Sequence, residues 1–117
     1  MSLSIEQLKL EDFIGGWIVG NFSPCVFSSS EIELGVKRFS AGEIEQEHYQ
    51  LHATEVTLVV EGHCILAGKR LGPGDILVIP PNVSGSFRAL TDVTLVVVKS
   101  PSIPADKVIG RISKDRG

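Results

Sequence analysis

The stretch 42-GEIEQEHYQLHATEVTLVVEG-62 reads as two strands and the bend that joins them, closed by a glycine at either end. His48 and position 50 are two residues apart. On an extended strand they point to one face with Cα atoms about 6.6 Å apart, so two such side chains can converge on one ion. Glu55 opens the second strand and can supply a third donor. Position 50, however, is Gln50, a neutral amide where a second strong ligand would be expected. His52 is no substitute. It lies four residues from His48, about 13 Å along a strand, and reaches the same ion only if a bulge or turn intervenes.

The β pattern extends on both sides. In 31-EIELGVKRF-39, Ile32, Leu34 and Val36 share one face with Arg38, and Glu31, Glu33 and Lys37 share the other. The apolar side is expected to face the core. Further strands are expected at 44–52, 55–61, 63–67, 75–80, 84–90 and 93–100, with turn chemistry at 40–43, 61–63, 68–74, 80–82 and 91–92. Short strands at such spacing indicate an all-β fold, a small antiparallel sandwich or barrel. The run 95-LVVV-98 lacks polar alternation and is expected to be covered on both faces. Ser4 and Gln7 have capping-box spacing, which predicts a short helix over 5–12. The segment 13-FIGGWIVGNFSP-24 reads as a short strand or ordered loop that packs Trp17 and Phe22. The chain thus divides into an N-terminal arm (1–30), a β domain (31–101) and a polar tail (102–117), read as a short helix or frayed end.

Two glycine-anchored motifs carry a family resemblance. Residues 42–62 resemble the first cupin motif, G-x5-H-x-H-x(3,4)-E-x6-G, through Gly42, His48, Glu55 and Gly62, with Gln50 in place of the second histidine. The stretch 74-GDILVIPPNVSG-85 resembles the second motif, G-x5-P-x-G-x2-H-x3-N, through Gly74 and Pro80. Asn82 replaces a glycine, Gly85 the last histidine ligand and Ala89 the terminal asparagine. The likeness spans about Glu31 to Pro101. It implies a small cupin or jelly-roll β-barrel whose metal site is degenerate, and a homodimer, for which 13–22 is the candidate interface. Independently of the name, Gly62 and Gly74 stand where hairpins turn and a positive φ is expected.

Composition narrows the function. At 117 residues the chain is one domain, and a net charge of -3 argues against a nucleic-acid partner. No window holds 18 uninterrupted apolar residues and no secretory signal is visible, so no membrane partner and a cytoplasmic location are expected. Cys25 and Cys64 have no metal-ligand spacing and read as two buried thiols, a disulfide between them requiring their strands to pair.

The candidate site is then His48, Gln50 and Glu55. As a metal set it offers one imidazole, one carboxylate and one amide, weak beside the three strong ligands of an ordinary catalytic site. The expected cofactor is none, or a weakly bound divalent ion (Zn, Fe, Mn or Ni). Without metal, His48 and Glu55 are candidates for an acid/base pair, or simply hydrogen-bond each other. Arg38 either points into the barrel as an anion clamp or snorkels to solvent. Lys99, in phase with Leu95 and Val97, could approach a pocket rim. His63 reads as a solvated turn residue. Three functions follow: a small-molecule-binding cupin, with a sugar or sugar nucleotide the ligand class that the resemblance implies; an isomerase or epimerase using His48 and Glu55; or a non-catalytic dimeric module.

Overall fold

Alternation turns into strand wherever one face finds a partner sheet. The computed structural model describes residues 4–112, which form eleven strands in two sheets. These are β1 (Trp17–Gly20), β2 (Phe27–Ser28), β3 (Glu33–Phe39), β4 (Ile44–Gln50), β5 (Thr54–Glu61), β6 (Cys64–Leu66), β7 (Lys69–Leu71), β8 (Ile76–Ile79), β9 (Gly85–Ala89), β10 (Val93–Ser100) and β11 (Lys107–Ile109). The six-stranded sheet runs β2-β1-β3-β10-β5-β8, and the five-stranded sheet runs β11-β4-β9-β6-β7. Pairing is antiparallel except between β1 and β2. This is a jelly-roll of two facing sheets that do not close into a continuous barrel. Gly62 and Gly74 adopt φ values of 83° and 88°, the left-handed conformation their turns require.

The apolar core fills one end of the space between the sheets. Val59, Cys64, Leu66, Phe87, Val93, Leu95 and Val97 are all buried there, and Phe39 stacks on Phe87 with ring centroids 4.5 Å apart. Fully burying such side chains contributes about 1.5–3 kcal/mol each. Burial also pushes the Cys64 thiol pKa up, and neither cysteine is in a disulfide.

Three expectations are corrected. Residues 5–9 do not form a helix, and only single 3-10 turns occur, at Leu10–Asp12 and Ile14–Gly16. Ile5 is 99% exposed and Leu8 half exposed, so no buried face offsets the cost of helix nucleation. The turn stretch 68–74 contains β7, which pairs with β6. The tail is neither helical nor frayed at 107–109, because β11 covers the free edge of β4, with Lys107 opposite Gln50 and Ile109 opposite His48. Residues 113–117 of the tail lie outside the described residues.

Phase is the further correction. Along β3 it is Glu33, Lys37 and Phe39 that line the space between the sheets, together with Gly35 at the foot of Trp17. Arg38 is exposed on the outer face with Leu34 and Val36, so it is not an anion clamp in the interior. A strand pattern of period two shows which residues share a face but not which face turns inward.

Candidate functional site

Next to the packed core, with Leu66, Phe87, Leu95 and Val97 of that core in its wall, the sheets enclose a cavity of about 350 Å³. That is near the lower end of the range for small-ligand sites. His48, Gln50 and Glu55 all line it, as the strand spacing predicts. One local device makes this work. Between Glu45 and His48 the register of β4 against β9 slips by one residue, so that both side chains face inward despite being three apart.

The three residues are held differently. His48 Nδ1 lies 2.9 Å from the carbonyl oxygen of Gln46. A carbonyl only accepts, so Nδ1 carries the proton, and Nε2 keeps the lone pair when the ring is neutral. Glu55 is buried and accepts the Thr57 hydroxyl at 2.9 Å. His48 and Glu55 are therefore not hydrogen-bonded to each other. Gln50 is 5% exposed, and its Nε2 is a buried donor with no partner among the described residues. A buried amide left unsatisfied costs about 1–3 kcal/mol, so its retention calls for an acceptor that arrives from elsewhere.

His52 leaves the site, as strand geometry requires. Its ring Nδ1 donates to Asp106 at 2.7 Å, and the backbone N–H groups of His52 and Ala53 donate to the same carboxylate. Burial pushes the Asp106 pKa up. The His52 ring bond, the two backbone donors and the nearby imidazole outweigh that and hold the carboxyl below its ordinary value. The result is a clasp that ties the start of β11 to the bend after β4.

The donors do not fit a tightly held transition-metal ion. One imidazole, one carboxylate and one neutral amide fall short of the usual three strong ligands, and no three His, Cys, Asp or Glu side chains cluster among the described residues. Position 85 cannot add a ligand. A Cβ there would come within 2.8 Å of the Ala67 Cβ, so Gly85 is a packing requirement between β9 and the β6–β7 turn.

The cavity holds a second set of groups that strand reading alone left at the rim or missed. Lys37, Lys99 and Lys107 all line it. The ammonium groups of Lys37 and Lys99 lie 5.2 and 4.9 Å from the centre of the Trp17 ring, within cation–π range. Lys37 also donates to the Gly15 carbonyl at 2.6 Å. Trp17 can lie against the sheet because residue 35 is glycine, where a Cβ would sit 2.6 Å from the indole. Burial pushes the Lys37 pKa down; Glu45 pulls it up, and Lys107 and Lys99 press it down again. The ion pairs among the described residues are His52–Asp106 and Arg111–Glu47, so none of these three ammonium groups is in contact with a carboxylate. Glu33, Glu45, Glu55 and Asp106 also face the cavity; Glu33 and Glu55 accept hydrogen bonds from Ser102 and Thr57, and Asp106 accepts from His52 and Ala53. The sequence did carry a signal for Lys37, its phase with Glu33 and Gly35. Lys107 had none, because only the pairing of β11 brings it to the cavity. Trp17 and Phe22, expected to be packed by their segment, are in the cavity wall.

No family model and no curated protein matches the chain. Solved structures do. KdgF from a Halomonas species is 25% identical, with a TM-score of 0.61 over 65% of this chain and 74% of that one. A cupin-superfamily sugar phosphate isomerase from Silicibacter pomeroyi is 22% identical, with a TM-score of 0.62 over 71% of this chain and 59% of that one. An uncharacterised protein with a double-stranded β-helix domain from Klebsiella pneumoniae is 16% identical, yet covers 96% of this chain and 100% of its own, with a TM-score of 0.70. Likeness at this level is likeness of fold. Among the described residues no helix is long and apolar enough to cross a membrane.

Proposed function

Taking the chain as a cupin by fold, we propose that it binds a small polyhydroxylated molecule carrying a carboxylate or phosphate, without a tightly held transition metal. The observation that carries this reading is the unpartnered Gln50 Nε2, buried in a cavity that three lysines outside any direct ion pair also line. In this reading Gln50 donates to a ligand oxygen, and Glu55 accepts from a hydroxyl. Lys37, Lys99 and Lys107 hold the acidic group beside Trp17. The cavity size favours one sugar ring over a sugar nucleotide. The likeness in fold to the Silicibacter sugar phosphate isomerase supports trying sugar phosphates first.

Titration calorimetry with monosaccharide monophosphates, hexuronic acids and the parent neutral sugars tests the reading. At least one acidic member is expected to bind. Gln50→Leu and Lys99→Met are each expected to weaken it by about tenfold or more, the cost of a lost charge-assisted or buried hydrogen bond. No binding across the panel, or equal binding of the neutral sugars, would contradict it.

One observation favours a catalytic version. The Gln46 carbonyl holds the His48 proton on Nδ1 and leaves Nε2 as the basic nitrogen of a cavity-lining ring. Such a nitrogen can take a proton from carbon α to a carbonyl and return it, the step shared by sugar isomerases and epimerases. NMR in D2O checks this. The α-proton of a bound ketose or aldose phosphate should exchange with wild type and not with His48→Gln, and absence of exchange with wild type removes the catalytic version.

A further inference from the structure

The three lysines in the cavity wall are not equivalent. Lys107 is exposed, whereas Lys37 and Lys99 are half-buried. Of the three, only Lys37 is tied to the backbone, through its 2.6 Å bond to the Gly15 carbonyl. That carbonyl is set by the turn it belongs to. Gly15 and Gly16 take φ values of 61° and 83°, and a Cβ on Gly16 would collide with the Val36 carbonyl. The turn is thus pressed against β3 one residue from Lys37, and it fixes an amine that would otherwise swing on a flexible four-carbon stem. The charges around this amine disfavour its proton. Burial acts first, Lys107 and Lys99 add two positive charges, and Glu45 opposes them without touching the ammonium. The Trp17 ring, which steadies an ammonium, is shared with Lys99. Desolvation and a neighbouring cation are the two conditions that turn a lysine from an anchor into a nucleophile.

We infer that Lys37 forms an imine with the carbonyl carbon of an open-chain sugar acid or sugar phosphate held in this cavity. The inference rests on the ligand reading above and adds a covalent step to it. Lys37 Nζ attacks the carbonyl carbon, the C=O π pair moves to the oxygen, and a proton passes from nitrogen to that oxygen. The carbinolamine then loses its hydroxyl and the remaining N–H proton as water. Amine and carbonyl become imine and water, with no oxidant or reductant consumed. His48 lines the same cavity with Nε2 as its basic nitrogen, a group suited to carry the proton from nitrogen to oxygen. A neutral amine keeps an N–H for the Gly15 carbonyl, so losing the ammonium proton leaves the nitrogen in place. Lys99 and Lys107 remain as cations for the acidic group, and the three lysines divide into one nucleophile and two anchors.

Reductive trapping on the full chain tests the inference. Wild type is incubated with glyceraldehyde 3-phosphate, with glucuronic acid and with neutral glyceraldehyde, each with cyanoborohydride, which fixes an imine as a secondary amine. Peptide mass spectrometry then locates the adduct. With the acidic probes, Lys37 is expected to be labelled at least about tenfold more than the exposed Lys69 of the same sample. With neutral glyceraldehyde that preference should fall. Lys37→Arg keeps the positive charge and is expected to lose the adduct without passing it to Lys99. The readout is a position within wild type, so it does not depend on a variant that folds. Equal labelling of Lys37 and Lys69, or an adduct centred on Lys99 or Lys107, overturns the inference. An acidic sugar that binds in calorimetry yet leaves Lys37 unlabelled also overturns it, while the ligand reading stands. A chain that neither binds nor is labelled removes both.

Discussion

The two faces of one sheet are built differently beside the cavity. Along β10, β5 and β3, the inward positions at the cavity mix polar Lys99, Glu55, Thr57, Glu33 and Lys37 with apolar Val97, Leu95 and Phe39, while the outward positions Val98, Val96, Val56, Leu58, Leu34 and Val36 are all apolar. Beyond the cavity the inward positions are Val59 and Val93. Folding alone gives no reason for polar groups inside. They make sense if the inner face meets a polar ligand.

The largest effect that could break this comparison separates two positions on β10. Val93→Asp buries an unpaired carboxylate in the core and is expected to cost more than about 4 kcal/mol, enough to unfold a small domain. Val96→Asp points outward, and it is expected to cost within about 1 kcal/mol. Urea unfolding of both variants measures the difference. Equal losses would mean that the outer face is part of the folded core.

A smaller effect concerns the clasp at the cavity rim. Asp106→Asn removes charge-assisted bonds to His52 and Ala53 and is expected to cost about 1–3 kcal/mol in thermal or urea unfolding at neutral pH. The folded-state pKa of Asp106 lies below its unfolded value near 3.8. Its contribution is therefore full above pH 3.8 and lost as pH falls from there through the depressed value. The gap between wild type and Asp106→Asn should close over that acid window. A gap that stays constant would remove the carboxylate from the account.

The smallest effect belongs to the inner lysines. The folded-state pKa of Lys37 is lowered from 10.5, so the folded chain holds that proton less tightly than the unfolded chain does. Stability should consequently rise as pH climbs from the depressed value toward 10.5, and Lys37→Met should flatten that rise. Unfolding curves across the alkaline range would show it, and identical slopes in the two proteins would contradict it.

Much of this was legible in the residues, for definite reasons. Glycines at 42, 62 and 74 and the proline at 80 mark turns and strand ends locally, so the strands from 44 to 61 and from 76 to 79 were placed within a residue or two. His48, Gln50 and Glu55 came together because a two-residue step sets a side chain's face without distant information. Arg38 failed for the converse reason. Alternation is symmetric, and the apolar half of β3 was assigned to the interior because apolar usually means inside. Gly35 held the better clue, a residue without a side chain on the face where Trp17 must lie. β11 was unreadable, since a short Lys-Val-Ile run becomes a strand only beside β4. Lys107 entered the site with it.

Methyl NMR of labelled valine and leucine tests the central claim most directly, because the two faces alternate along single strands. Adding an acidic monosaccharide that binds should shift Leu95 and Val97, which line the cavity, and leave Val96, Val98 and Leu58 in place. If the ligand moved the outer methyls instead, or moved both sets alike, the assignment of the ligand to the inner face of this sheet would be wrong.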